Sequence, residues 1–129
     1  YMNLEPKQPH GVKWGKAKMV PLGSGSMMRG LPGDYYSPSR FVRVAYLNTH
    51  YPVKESEDEN VIRLFHTLTG VAMIDGAAAM DETSFEKTIY TGGYSTASKT
   101  YYYNTYDNPA IMHVSMDDYD INKGELIEI

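Results

Sequence analysis

The stretch from Gly30 to Arg43, GLPGDYYSPSRFVR, decides the fold prediction. Its first half is rich in glycine and proline and predicts a loop. Ser37 is then a suitable N-cap, and Pro38 suits the first helical position, where a missing N–H costs nothing. Residues 40–47 are mostly apolar, and Pro52 ends the pattern. We therefore predict a loop followed by a helix.

A second helix is predicted downstream of Pro52. The segment Lys54–Glu59 is acidic, which suits the positive end of a helix. Gly70 follows the apolar pattern and is expected either to close or to loosen this helix. Both helices should be amphipathic and packed on another element. The apolar positions with helical spacing are Val61, Leu64, Phe65 and Leu68.

The remaining chain divides into loop and strand segments. Residues 1–19 are interrupted by proline and glycine, and residues 20–34 read as loop. After Asp81, tyrosine-rich segments separated by turn residues predict strands. Short connections between them imply an antiparallel sheet, so the fold class is α+β, helices followed by sheet. The predicted strands are Thr88–Tyr94, Lys99–Tyr106, Ala110–Met116 and Glu125–Ile129, with turns at residues 107–109 and 117–124.

Composition excludes several classes of function. The chain has 129 residues, enough for one domain, and a formal charge of -4, which argues against a nucleic-acid surface. No apolar run approaches the roughly 18 residues that span a bilayer. The sequence contains no cysteine, so it offers no disulfide, no cysteine-ligated zinc and no cysteine nucleophile. Cysteine usage therefore assigns no redox compartment.

Apparent cofactor and metal motifs fail on their spacing. The glycines of residues 23–30 match neither a dinucleotide fingerprint nor a P-loop. Residues 118–122 resemble the start of a calcium loop, but Lys123 and Ile129 occupy the positions of the required glycine and glutamate. The histidines lack helical metal-site spacing, and no serine lies in a Gly-x-Ser-x-Gly elbow. We predict no cofactor and no metal, and residues 117–124 as a polar turn.

Arg40 is the one candidate site residue. It lies in the first turn of the predicted helix, where a cation opposes the helix dipole at a small cost. Helical spacing places it on a face with Val44 and Leu47. Two interpretations stay open from the residues alone, a functional cation and a surface arginine with a packed stem.

Four segments together resemble the choloylglycine hydrolase family, which includes bile salt hydrolases and penicillin V acylases. The stretch GLPGD…SRFVR of residues 30–43 resembles a family motif, and matches follow in the expected order. They are LFHTL at 64–68, TIY at 88–90 and YYYNTYDN at 101–108, so the resemblance covers nearly the whole chain.

The resemblance implies an N-terminal nucleophile (Ntn) hydrolase fold, an αββα sandwich of two antiparallel sheets between helical layers. Residues 1–129 would be the C-terminal portion of one such domain. The family's nucleophile is an N-terminal cysteine, with the chain's own α-amino group as the base. Arg40 matches the catalytic arginine of the SRFVR motif and would favour the thiolate. Arg43 matches a motif position with no comparable role.

These implications define the expected function. The chain begins at Tyr1, and we expect it to be a C-terminal segment of a bacterial linear amide hydrolase acting on conjugated bile salts or penicillin V. We expect the fragment alone to be inactive. Its partners would be the upstream half of the protein, which carries the cysteine, a small amide substrate, and further copies, four in the family. The location would be cytoplasmic, periplasmic or secreted. The alternative is a non-enzymatic α+β binding or assembly module.

Overall fold

The computed structural model describes residues 12–19, 25, 28–120, 122–124 and 126. The chain divides into two compact units, with the first ending at Pro52 and the second beginning at Val53. The first unit contains a hairpin and one helix. The second contains one helix and two small antiparallel sheets.

The first unit contains a short hairpin, at residues 12–19, that the sequence did not predict. Strands β1 (Val12–Trp14) and β2 (Ala17–Met19) pair antiparallel. Gly15 turns the chain with a φ of 61°, a left-handed conformation that glycine adopts without steric cost. Three-residue strands are too short to produce a readable alternation of apolar and polar positions. Part of the predicted loop at 20–34 lies outside the described residues.

Helix α1 spans Ser37–His50, which confirms the predicted helix. Its capping was predicted wrongly, because the N-cap is Tyr36 and Ser37 is already helical. No side chain caps this helix end, and the Asp34 carboxylate instead accepts the Tyr36 backbone N–H at 2.9 Å in an Asx turn just before the helix. Tyr46 is the buried residue of this helix.

Helix α2 spans Glu57–Thr69 in the second unit, as the sequence predicted. Ser56 is its N-cap and accepts the Glu59 backbone N–H, while the Ser56 hydroxyl donates to the Glu59 carboxylate at 2.9 Å. This reciprocal arrangement is a variant of the capping box. Gly70 forms the C-cap, so of the two roles expected for it the structure shows that it closes the helix.

The main sheet confirms three of the predicted strands. Strands β5 (Tyr90–Ser95), β6 (Thr100–Thr105) and β7 (Met112–Ser115) form one antiparallel sheet in that order. A smaller sheet, β3 (Ala78–Ala79) with β4 (Phe85–Glu86), was not predicted. Most of the strand predicted at 125–129 lies outside the described residues.

The predicted turns are present around the main sheet. Thr105 N–H donates to the Asn108 carbonyl at 3.0 Å, which closes the turn between β6 and β7. Residues 116–118 form a single 3₁₀ turn. Lys123 N–H donates to the Asp120 carbonyl at 3.1 Å, so this segment is the polar turn that was predicted.

The two faces of the main sheet have different surroundings. Side chains alternate between faces along each strand, and paired residues share a face. One face carries Gly93 and Tyr102 and packs on α2, with the Leu64 side chain directly over Gly93. The opposite face, which we call the tyrosine face, carries Tyr90, Tyr94, Tyr101 and Tyr103.

Few apolar side chains are buried among the described residues. Tyr46, Phe65 and Val71 are the buried hydrophobic residues, and no described side chain is less than 2% exposed. Large apolar side chains such as Phe41 and Ile89 are instead more than 70% exposed. This exposed apolar surface is available for contact with other polypeptide.

We predict that Gly93→Ala destabilises the protein by about 1–3 kcal/mol, because an added Cβ meets the Leu64 side chain in a packed contact. The free energy of unfolding measured with denaturant tests this. Gly33→Ala is the matched control, since a Cβ there meets nothing within 4 Å. Equal stability of the two variants would contradict the packing of α2 on β5.

Candidate functional site

Arg40, the predicted catalytic residue, is the fourth residue of α1 and is half-buried. Its backbone N–H donates to the Tyr36 carbonyl at 3.0 Å and closes the first helical turn. Val44 and Leu47, which helical spacing placed on the same face, are also half-buried. The first turn of α1 contains no acidic residue, but the Asp34 carboxylate accepts from the Ser39 hydroxyl of that turn at 2.9 Å and so lies beside the positive helix end.

The segment before α1, residues 31–36, is held to the helix by side chains, and we call it the approach loop. Arg43 Nη1 donates to the Pro32 carbonyl at 2.9 Å and to the Asp34 carbonyl at 2.7 Å. Asp34 Oδ2 accepts from the Ser39 hydroxyl at 2.9 Å. Together with the bond from Asp34 to Tyr36 N–H, these contacts join the loop to the first two turns of α1.

Asp34 is held in its charged form by these donors. The Tyr36 backbone N–H, then the Ser39 hydroxyl, lower the pKa of the Asp34 carboxyl below its usual value. The Arg43 charge adds a smaller effect in the same direction. Asp34 in the approach loop and Arg40 and Arg43 in α1 therefore bring an ionised carboxylate and two guanidinium groups into one short segment of the chain.

A second polar cluster lies in the second unit, and we call it the Glu57 cluster. The Glu57 carboxylate accepts hydrogen bonds from three hydroxyl groups: Ser95 at 2.7 Å, Ser98 at 2.6 Å and Tyr102 at 2.7 Å. Glu57 begins α2, whereas the donors lie on β5, on β6 and in the turn between them. The cluster therefore ties the start of the helix to the β5–β6 hairpin.

The hydrogen bonds shift the titration of both partners in the Glu57 cluster. The Ser98 hydroxyl, followed by those of Tyr102 and Ser95, lowers the pKa of the Glu57 carboxyl. The bond to Glu57 raises the pKa of the Tyr102 phenol, because the phenolate would lose that contact. Glu57 is consequently ionised and Tyr102 neutral near pH 7.

The part of the chain that the structure describes contains neither a cluster of metal-ligating side chains nor a membrane-spanning helix. No group of three or more potential metal-ligating side chains occurs among those residues. At the resembled calcium loop, Asp120 Oδ1 accepts the Asn122 backbone N–H at 3.1 Å, a contact typical of a turn. Neither described helix has the length and apolarity required to cross a bilayer.

Sequence reasoning missed both side-chain clusters in different ways. The turn at Asp34 does have a local signal, since Asp commonly accepts a backbone N–H two residues further along the chain. The Glu57 cluster has no local signal, because its donors lie 38 to 45 residues away along the chain. Arg43 was seen only as a motif position without a role.

Comparison with known proteins identifies relatives along the whole chain. The sequence model of the family described as linear amide C–N hydrolases, choloylglycine hydrolase family, matches residues 1–129. The bile salt hydrolase/transferase of Bifidobacterium longum is 51% identical over 129 residues. The conjugated bile acid hydrolase of Lactobacillus acidophilus is 39% identical over 127 residues. The chain spans 41% and 40% of these relatives' lengths.

Solved structures give the same result for the fold. A crystal structure of a mutant conjugated bile acid hydrolase from Clostridium perfringens superimposes with a TM-score of 0.79 at 32% identity, covering 97% of this chain and 38% of that one. Penicillin V acylase from Agrobacterium tumefaciens matches with a TM-score of 0.59 at 22% identity, over 67% of this chain and 27% of that one, which supports the fold alone. The predicted α+β class, as part of an Ntn-hydrolase sandwich, is confirmed.

Glu57→Gln should lower the melting temperature near pH 7, because the neutral amide is a weaker acceptor for three hydroxyl groups. The folded-state pKa of Glu57 lies below its ordinary value of 4.5, so the unfolded state binds more protons in the window between the two values. The stabilisation is therefore present above that window and is lost as the pH falls through it.

Melting temperatures measured from about pH 3 to about pH 7 test this linkage. The wild-type protein should lose stability more steeply in acid than the Glu57→Gln variant does. Glu55→Gln, which alters an exposed neighbouring carboxylate, is the control and should keep the wild-type slope. Identical slopes for all three proteins would show that the cluster does not stabilise the fold.

Proposed function

This chain belongs to the choloylglycine hydrolase family of linear amide C–N hydrolases, and on that basis we propose that it is the C-terminal portion of one catalytic domain that cleaves conjugated bile salts. The observation that carries the substrate class is the 51% identity to a bile salt hydrolase/transferase. Penicillin V is the alternative substrate and has weaker support, because its acylase matches at 22% identity.

The proposed reaction uses a cysteine thiolate from outside these residues, since the chain contains no cysteine. The sulfur adds to the amide carbonyl carbon, and the C–N bond breaks as the amine leaves with a proton. Water then hydrolyses the thioester to release the acid and regenerate the thiol. In this scheme the 129 residues supply a cation, a sheet and a helical layer.

Arg40 is the proposed contribution to the chemistry. A guanidinium remains charged at any physiological pH and favours the thiolate form of a nearby cysteine. Half-burial strengthens this effect, because a charge pair removed from bulk water is screened less. Arg40 lies in the first turn of α1, where the positive helix end adds to the same field and the nearby Asp34 carboxylate offsets part of it.

The tyrosine face is the proposed docking surface for the rest of the polypeptide. It lies opposite α2, and Tyr90, Tyr94 and Tyr101 are 62%, 48% and 37% exposed. Tyr101 and Tyr103 stack with ring centroids 6.0 Å apart and border a groove with Ile89. A face of this character is suited to packing against a second sheet. The chain spans about two-fifths of its relatives, which leaves enough polypeptide to form one.

We further propose that the protein assembles with other copies of itself, four in the family. The substrate that we propose for it is a small amide and not a macromolecule. The compartment follows from the host cell and from segments outside this sequence.

We predict that the purified 129-residue chain releases no glycine or taurine from conjugated bile salts, and that co-expression with the remaining segment of the protein restores release. Tyr90→Glu should impair this restoration by about tenfold or more, because a carboxylate would be buried in the interface. Val53→Glu, at a position 88% exposed outside the tyrosine face, is the control. Amine release by the chain alone would overturn the proposal.

Arg40→Gln in the full-length enzyme should lower kcat/KM by about 100-fold, the effect typical of removing one preorganised electrostatic contact. The acid limb of the pH–rate profile should move to higher pH, because the thiolate loses a stabilising charge. Arg29→Gln removes an exposed arginine and should leave both unchanged. Wild-type kinetics for Arg40→Gln would remove Arg40 from the active site, and a native chain consisting only of these residues would favour the non-enzymatic module.

A further inference from the structure

One arginine side chain makes two of the hydrogen bonds that join the approach loop to α1. Arg43 is the seventh residue of the helix and is half-buried. Its Nη1 donates to both the Pro32 and the Asp34 carbonyl oxygens, at 2.9 and 2.7 Å. One nitrogen with two N–H groups thus bridges two carbonyls on either side of Gly33. Hydrogen bonds from a charged donor are stronger than those from a neutral one.

A second connection between the helix and the loop is made through the Asp34 side chain. Asp34 accepts from Tyr36 N–H and from the Ser39 hydroxyl, each at 2.9 Å. Ser39 immediately precedes Arg40 in the first helical turn. Arg40 therefore lies between two residues, Ser39 and Arg43, that are both bonded to the approach loop.

The two arginines are also neighbours on the helix surface. Residues three apart lie on adjacent positions of the same face, so Arg40 and Arg43 would repel each other if both guanidinium groups were unconstrained. Bonding to the loop carbonyls gives the Arg43 charge a fixed place. It also engages the carbonyl oxygens of Pro32 and Asp34 in the approach loop.

We propose that Arg43, acting with Asp34 and Ser39, is a positioning residue that sets the geometry of Arg40. This inference rests on the proposed function, because it assigns Arg43 a role only through the catalytic contribution of Arg40. Arg43 itself does not contact the reacting atoms. The lowered pKa of Asp34 is consistent with it, since the carboxylate stays charged and remains an acceptor for both donors.

A double-mutant cycle in the full-length enzyme tests the proposal. Arg43→Gln should lower kcat by about tenfold with little change in KM, since misplacing a catalytic group weakens the transition state more than substrate binding. In the Arg40→Gln background the same substitution should change kcat by less than about twofold, because nothing remains to be positioned. Arg43→Lys should recover part of the activity, because its ammonium can still donate to a loop carbonyl.

The outcomes separate this proposal from the one on which it rests. An unaffected Arg40→Gln enzyme would reject the catalytic role of Arg40 and this inference together. A strong effect of Arg40→Gln with none from Arg43→Gln would reject the positioning role alone. Equal losses from Arg43→Gln in both backgrounds would also reject it, because a purely structural defect is additive.

Ser39→Ala provides a second route if the Arg43→Gln enzyme fails to fold. It removes one bond between the approach loop and α1 while keeping both arginines. Its kcat should fall by about threefold in the wild-type background and stay unchanged with Arg40→Gln. The same loss in both backgrounds would overturn the proposal.

Discussion

The packing of α2 across β5 and β6 is the contact on which the second unit depends. The unit has few buried apolar residues, and the chain contains no cysteine to form a cross-link. One apolar contact, Leu64 over Gly93, sets the distance between helix and sheet. The carboxylate of Glu57 then fixes the helix start by accepting three hydroxyl hydrogen bonds. Close approach and polar anchoring thus act on the same pair of elements.

Much of the fold was predictable because its larger elements carry strong local signals. Helix α2 has an acidic start and helical apolar spacing, and β5–β7 are tyrosine-rich segments between turn residues. Strands β3 and β4 have two residues each, which is too few for any period to be read. The N-cap of α1 was misassigned because Ser37 is already helical and Tyr36, which makes no side-chain capping bond, takes that position.

The candidate site was predictable only in part, for a different physical reason. Arg40 was identified through the resemblance of a segment, whereas spacing alone left it between a functional and a surface role. Arg43 and Glu57 act through tertiary contacts, and a single sequence contains no record of which distant atoms those side chains meet. The structure supplies these contacts as hydrogen bonds from Arg43 to two loop carbonyls and from Tyr102 to Glu57.

Among the described strands, the main sheet has two unpaired edges, since β5 and β7 each pair only with β6. The free backbone groups along such edges can pair with strands from other molecules and start aggregation. Gly92 and Gly93 in β5 offer no charged side chain to discourage this. The 129 residues produced alone are therefore expected to precipitate, and co-translation with the further segment that we propose is the practical route to crystals.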